Sequence, residues 1–152
     1  MIIEFTKTRD SAHSPQRANP SDAGLDVFYS ATEPQQLITI EPGDSKLIPT
    51  GLRFGVPHGY MLEVKNRSSV AAKLNLVVGA CVIDSGYDGE VFINVHNIGR
   101  DTRVVQDGDK IAQLVMMPVV HFQPQENIEG TLYDYPKTIS NRGTGALGST
   151  DM

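Results

Sequence analysis

Apolar residues along this chain come in short, β-branched runs parted by turn residues, and no stretch sustains a helical period. Ile2–Thr6 alternates weakly and reads as an edge strand. Val27–Tyr29, Leu37–Ile40, Lys46–Ile48 and Leu52–Val56 read as short strands. Turn signals at Glu41–Asp44, Pro49–Gly51 and Pro57–Gly59 separate several of them. Tyr60–Val64 alternates, with Tyr60, Leu62 and Val64 set against Met61 and Glu63. Leu76–Val78, Thr102–Val105, Ile111–Met117 and Val119–Phe122 complete the strand candidates. Between them, Cys81–Ile83 and Val91–Val95 flank Ser85-Gly86, a pattern that predicts a β-hairpin. One short helix is predicted over Ser68–Leu74, with Ser68 placed to cap its first turn. Short strands at near-regular spacing predict an all-β sandwich or barrel of jelly-roll type and disfavour a parallel α/β sheet. No internal repeat is visible. Residues 1–140 are expected to form a single domain, with polar Glu126–Ser140 as a connection. The glycine-rich 141–152 reads as a mobile arm.

Composition narrows the classes. At 152 residues the chain fits one domain with a real core. Thirteen basic against 18 acidic residues leave a net charge of -5, with a pI near 5.2, which disfavours duplex nucleic acid as a partner. An anion must therefore be held by local geometry. The first residues lack the basic start and apolar run of a secretory signal. No apolar stretch approaches the roughly 20 residues of a membrane helix. The single cysteine, Cys81, cannot form an intrachain disulfide and suits a reducing compartment, so cytoplasmic residence is expected (host-cell cytoplasm or nucleus for a viral source). With apolar neighbours and no nearby histidine, Cys81 reads as a small hydrophobe and not as a nucleophile.

Several stretches carry candidate chemistry. In Gly79–Glu90 a lone carboxylate, Asp84, stands at a Ser-Gly turn with Tyr87 three residues on; a solvated turn residue and a site acid are both open readings. Arg67, Ser68 and Ser69 offer a planar fork and hydroxyl donors at the predicted helix start, suited to phosphate oxygens or to a plain surface turn. Gln113 is polar within an apolar run, either an outward edge residue or a ligand-facing donor. Arg142–Thr150 concentrates glycines and donors, as phosphate loops do, without the spacing or lysine of a Walker loop; a flexible tail is the other reading. Asp22–Asp26 is a second carboxylate region, where a triphosphate ligand would bring hard-cation chemistry. His13, His58, His96 and His121 are scattered away from metal-ligand spacing. The sequence lacks both the zinc nucleobase deaminase signature and a Gly-x-Ser-x-Gly elbow.

Taken in order along the chain, Ala23–Asp26, Arg67–Ser69, Gly79–Glu90, Gly108–Leu114 and Arg142–Thr150 resemble the five motifs of the trimeric dUTPase family, with Ile83-Asp84 and Tyr87 in register. The resemblance spans Ala23 to Thr150 and implies a dUTPase-like barrel that hydrolyses dUTP to dUMP and pyrophosphate. That activity would keep uracil out of DNA and supply dUMP for dTMP synthesis. Asp84 would be the general base that orients water onto the α-phosphorus. Gly79, Ala80, Cys81, Val82 and Ile83 would read uracil through their backbone, and Tyr87 would pack under the deoxyribose. Arg67, Ser68, Ser69 and Gln113 would grip the inner phosphates. Arg142, Gly143, Ser149 and Thr150 would close over the γ-phosphate, with Leu147 as a lid on the base. Mg²⁺ would ride on the triphosphate with Asp26 as its water-mediated partner. The resemblance also implies a homotrimer with shared sites and no nucleic-acid or membrane partner.

Three positions depart from common family choices: Leu147 stands where an aromatic usually stacks on uracil, and Asn66 and Asp88 also differ. The nearest alternative is a dCTP deaminase-like enzyme, which needs a glutamate at the position matching Asn94. A nucleotide-sensing or binding module without turnover is the alternative from another class.

Overall fold

The computed structural model describes residues 1–133, 138–140 and 142–147. Its elements run β1 (Phe5–Lys7), β2 (Leu25–Phe28), β3 (Ile38–Ile40), β4 (Ser45–Pro49), β5 (Leu52–Phe54), β6 (Tyr60–Lys65), α1 (Ser68–Leu74), β7 (Leu76–Val78), β8 (Val82–Ile83), β9 (Phe92–Asn97), β10 (Arg103–Val105) and β11 (Lys110–Pro118). All pairings are antiparallel. One sheet runs β2-β11-β6-β8 and another β4-β9-β7, with two-stranded pairs β1-β5 and β10-β3 beside them. Neighbours in a sheet are mostly distant in sequence, the mark of a jelly-roll-like β fold.

The inward faces build one core around Val27, Tyr29, Ile40, Ile48, Leu52, Ile93 and Leu114. β9 shows the period-2 rule directly: Ile93, Val95 and Asn97 are buried, while Asn94 and His96 lie half-buried on the other face. The polar Asn97 is tolerated inside because each part of its amide is used. Its Nδ2 donates to the carbonyls of Ile40 and Asp101, at 2.9 and 2.8 Å, and its Oδ1 accepts the Gly99 N–H at 3.0 Å. Contacts divide the chain after His121 into a unit of Met1–His121 and a second of Phe122–Met152. Within the second, Gly130 closes a turn onto Asn127, and Arg142 Nε donates to the Gly145 carbonyl at 2.9 Å.

Three sequence expectations are corrected. The predicted hairpin does not form. β8 pairs with β6, through Ile83 opposite Leu62 and Val82 opposite Glu63, whereas β9 pairs with β4 and β7. The Asp84–Tyr87 turn is real, but it carries the chain from one sheet to another. Strand propensity is local, and the choice of partner is not. Ser68 is the first residue of α1 and not its cap; Arg67 occupies the N-cap position in an extended conformation, without a capping side-chain bond. Asn75 ends that helix at φ 55°, the left-handed conformation asparagine tolerates. Finally, Val119–Phe122 is no strand. Pro118 ends β11, and Val120 and Phe122 stand 84% and 82% exposed, with no sheet to bury them.

Candidate active site

The first cleft, of about 250 Å³, lies where β2 and β11 adjoin the end of β6 and is lined by Asp22, Gly24, Asp26, Arg67, Ser68 and Gln113 among others. Antiparallel register sets Gln113 of β11 opposite Asp26 of β2 on one side and Lys65 of β6 on the other. Two residues beyond Lys65 the chain reaches Arg67. Asp26 is 7% exposed and would be costly to bury alone. Its Oδ1 accepts Arg67 Nε at 2.9 Å, and its Oδ2 faces Lys110 Nζ at 3.1 Å. Each carboxylate oxygen thus holds one cation. Because Arg67 is tied through Nε, the far end of its guanidinium has no partner among the described residues and remains available for a planar, bidentate anion. Ser68 and Ser69 add hydroxyls at the same mouth.

Gln113 is steered from two sides. Its Nε2 donates to the Asn66 carbonyl at 2.8 Å. A Cβ on Gly24 would overlap Gln113 Oε1 and lie 2.6 Å from its Cδ and 2.8 Å from its Cβ, so only glycine fits there. Asn66, a departure from the family pattern, has a local purpose: its Oδ1 accepts the Val78 N–H at 2.9 Å.

A second cleft of about 220 Å³ is lined by Val82, Ile83, Asp84, Tyr87, Glu90, Val91 and Phe92. The Tyr87 N–H donates to the Asp84 carbonyl at 3.2 Å, and Gly86 at φ 86° supplies the left-handed residue the turn needs. Ser85 Oγ pins the turn to the Val56 carbonyl at 3.0 Å. Tyr87 donates its hydroxyl to the Glu90 carbonyl at 2.8 Å, and a Cβ on Gly89 would lie 2.6 Å from Tyr87 Cζ; the ring therefore lies across Gly89. Glu90 is held in turn by Arg9 at 3.1 Å and by the Gly51 N–H at 2.7 Å. The Asp84 carboxylate is exposed, with no ion-pair or hydrogen-bond partner among the described residues. Asp88 is paired with Arg53, which offsets its extra negative charge.

The loop before β8 leans on β9. The Gly79 N–H donates to the Asn94 carbonyl at 2.8 Å, the Ala80 N–H to Asn94 Oδ1 at 3.3 Å, and the Cys81 carbonyl accepts the Val64 N–H at 2.7 Å. Ile83 is 8% exposed and belongs to the core, so its side chain is not offered to a ligand.

Nine of the sequence-predicted residues line one of the two clefts, and Gly79, Ala80 and Cys81 line neither. Arg67, Ser68, Ser69, Gln113 and Asp26 share the first cleft; Val82, Ile83, Asp84 and Tyr87 share the second, and the two clefts have no lining residue in common. Ile83 faces Leu62 and Gln113 faces Lys65, three residues apart on β6 and so about 10 Å along the strand. Arg142, Gly143 and Leu147 lie in the second unit, all exposed; Ser149 and Thr150 fall outside the described residues. Sequence reasoning passed over Lys110, Glu90 and His96. Lys110 sits inside a quoted motif, but nothing local marks it as the partner of Asp26.

No group of three or more His, Cys, Asp or Glu able to hold a metal occurs among the described residues. The histidines serve apart: His13 meets Asp107 at 2.9 Å, His58 and His121 stack at 4.8 Å between ring centroids, and His96 meets Asn94. The Ala31 N–H bond holds the Asp107 carboxyl below its ordinary value, partly opposed by burial and aided by His13.

The dUTPase family model matches residues 10–145. A deoxyuridine 5'-triphosphate nucleotidohydrolase of Chlamydia muridarum is 35% identical over 148 residues, 96% of each chain. Its namesake in Desulfitobacterium hafniense is 39% identical, covering 99% of this chain and 95% of its own. Among solved structures, a mutant dUTPase from Staphylococcus aureus phage phi11, described with a structural Mg(II) ion, superposes with TM-score 0.76 at 25% identity, over 85% of this chain and 98% of that one. A Staphylococcus phage 80alpha dUTPase mutant with dUpNHpp gives TM-score 0.79 at 24% identity over 97% of both chains. A family model matching most of the chain and relatives above 30% identity along nearly its whole length place this chain in the dUTPase family.

Proposed function

We propose that the chain hydrolyses dUTP to dUMP and pyrophosphate by attack of water on the α-phosphorus. The observation that carries this reading is the exposed Asp84 carboxylate, without a partner among the described residues, in a cleft with Tyr87 and beside a loop whose peptide groups suit a base. Phosphoryl transfer asks for positioning and charge neutralisation more than for covalent help. A carboxylate that orients water and accepts its proton meets the first need. Arg67, Ser68, Ser69 and Gln113 meet the second at the inner phosphates, with Arg142, Gly143, Ser149 and Thr150 closing over the γ-phosphate and Leu147 covering the base. Tyr87 under the deoxyribose leaves no room for a 2′-hydroxyl. Uracil is read by the Gly79–Ile83 backbone; cytosine reverses the donors and acceptors, and such mismatches discriminate by roughly 10⁴.

Asp26 fits a place beside a hard cation. A carboxylate has about four lone-pair sites, and two are taken by Arg67 and Lys110, which leaves room for a metal-bound water but no inner-sphere cage. Mg²⁺ bound to the triphosphate supplies further charge neutralisation. The separation of the two clefts along β6 supports a threefold assembly in which a neighbour completes each site. No helix among the described residues is long and apolar enough to cross a membrane. The same reading includes a cytoplasmic role in keeping uracil out of DNA and supplying dUMP.

The test is pyrophosphate release from dUTP, dCTP, dTTP and UTP, each with and without Mg²⁺, for the wild type and Asp84→Asn. Turnover confined to dUTP is expected, with Asp84→Asn binding dUTP yet releasing almost no pyrophosphate. Ammonia from dCTP would favour the deaminase, and binding without turnover a sensor. Retained turnover in Asp84→Asn would remove Asp84 as the base.

A further inference from the structure

Gly79 lies directly against two side chains of β9. A Cβ there would overlap Asn94 Oδ1 and His96 Nε2, and would lie 2.9 Å from His96 Cδ2. Asn94 Oδ1 accepts the Ala80 N–H at 3.3 Å and stands 2.9 Å from His96 Nε2. An atom that accepts the amide proton is the carbonyl oxygen of the asparagine, so His96 Nε2 is the second donor. The neutral Nε2–H tautomer and the imidazolium both satisfy this, so the contact does not depend on the charge of the ring.

The Ala80 N–H and the Gly79 carbonyl belong to one peptide plane, and no cis peptide is present. In a trans peptide the two point in opposite directions. With the Ala80 N–H turned onto β9, the Gly79 carbonyl is turned away from it. The Gly79 N–H is spent on β9 as well, at 2.8 Å from the Asn94 carbonyl. Turning this peptide over changes ψ of Gly79, which has no Cβ to obstruct it, together with φ of Ala80. A side-chain lock therefore has something to prevent.

Resting on the reading of this loop as the reader of uracil, we propose that Asn94 and His96 determine specificity by positioning the Gly79–Ala80 peptide. Held in place, the peptide offers a carbonyl to the N3–H of uracil. Flipped, it would offer an N–H, the group that N3 of cytosine accepts. Asn94 binds the peptide, and His96 holds the orientation of Asn94; neither touches the reacting atoms.

The experiment compares kcat/KM for dUTP and dCTP in the full-length wild type, Asn94→Leu, Asn94→Asp and His96→Leu, with a thermal melt of each. A single hydrogen bond biases such an equilibrium by up to about tenfold. Asn94→Leu, which keeps the volume and loses the acceptor, is expected to lower the dUTP-to-dCTP ratio by about tenfold, mainly through KM for dUTP with kcat little changed. Asn94→Asp keeps an acceptor for both donors and should restore the wild-type ratio. His96→Leu frees Asn94 without altering it and should lower the ratio about threefold; it carries the test if Asn94→Leu fails to fold. An active, selective wild type whose ratio stays within twofold in the folded leucine variants overturns this proposal alone. A wild type inactive on dUTP overturns the hydrolase reading and this inference with it.

Discussion

Gly24→Ala tests the first cleft most directly, because the geometry sets both its size and its partner. The new Cβ would overlap Gln113 Oε1 and lie 2.6 Å from Gln113 Cδ and 2.8 Å from its Cβ. The carboxamide can swing aside, at the loss of its bond to the Asn66 carbonyl, about 1 kcal/mol. The Cβ of Gln113 cannot swing, since it is fixed to β11, which pairs with β2 at that level. The strands must part by some tenths of an ångström, and overpacking of this kind costs about 1–3 kcal/mol. The sum is about 2–4 kcal/mol. In a Gln113→Ala background the Oε1 and Cδ overlaps vanish and the Cβ contact stays, so Gly24→Ala should cost only the overpacking term, about 1–3 kcal/mol. The coupling of about 1 kcal/mol is read from a double-mutant cycle in urea, with m held constant. In the same variants KM for dUTP should rise about tenfold in Gly24→Ala, because Gln113 would be moved off the phosphates it is proposed to grip. A Gly24→Ala cost under about 0.5 kcal/mol, or equal costs in both backgrounds, would refute the steric account.

Asp26→Asn leaves Arg67 and Lys110 close together without the charge that holds them. Breaking a buried pair costs about 3–5 kcal/mol, and with both cations partly exposed about 2–3 kcal/mol is expected in urea, together with a raised KM for dUTP. Wild-type stability would show that the carboxylate holds neither cation. Deleting Arg142–Met152 should abolish most pyrophosphate release while the melt stays cooperative, and an unchanged rate would make the arm dispensable. Leu147→Phe should maintain or tighten dUTP binding, and a marked loss in titration would mean that the arm docks otherwise. For Asp107, whose folded-state pKa lies below its ordinary 3.8, the stabilising contribution is present above that value and is lost as pH falls through the folded pKa. Asp107→Asn should therefore flatten the acid limb of stability below about pH 4, and an unaltered limb in acid titration would contradict it.

Most elements were legible from the chain alone. β6 and β11 could be found from alternation and apolar runs, and α1 from its short stretch beside Arg67, since such patterns depend on the burial of one face. The misread elements share a cause. Cys81–Ile83 and Val91–Val95 had the propensity of strands and a turn between them, but β8 went to β6 and β9 to β4 and β7. Val119–Phe122 had the propensity of a strand and found no partner. The candidate site divides the same way. Arg67, Gln113 and Asp84 were visible as the residue types that phosphate and water chemistry require, in an order resembling one family. The ion pair of Lys110 with Asp26 and the bond of Ala80 to Asn94 were not, because each depends on which strands become neighbours.

The sequence by itself determined that this is an all-β chain carrying donor types suited to phosphate and a lone acid at a turn, for those features follow from side-chain chemistry and the two-residue period of a strand. Only the tertiary structure decided that donors and acid occupy two separate clefts, and that Asp26 is already shared between two cations. Hydrogen bonding between strands links residues tens of positions apart, and no local pattern of polarity encodes that choice.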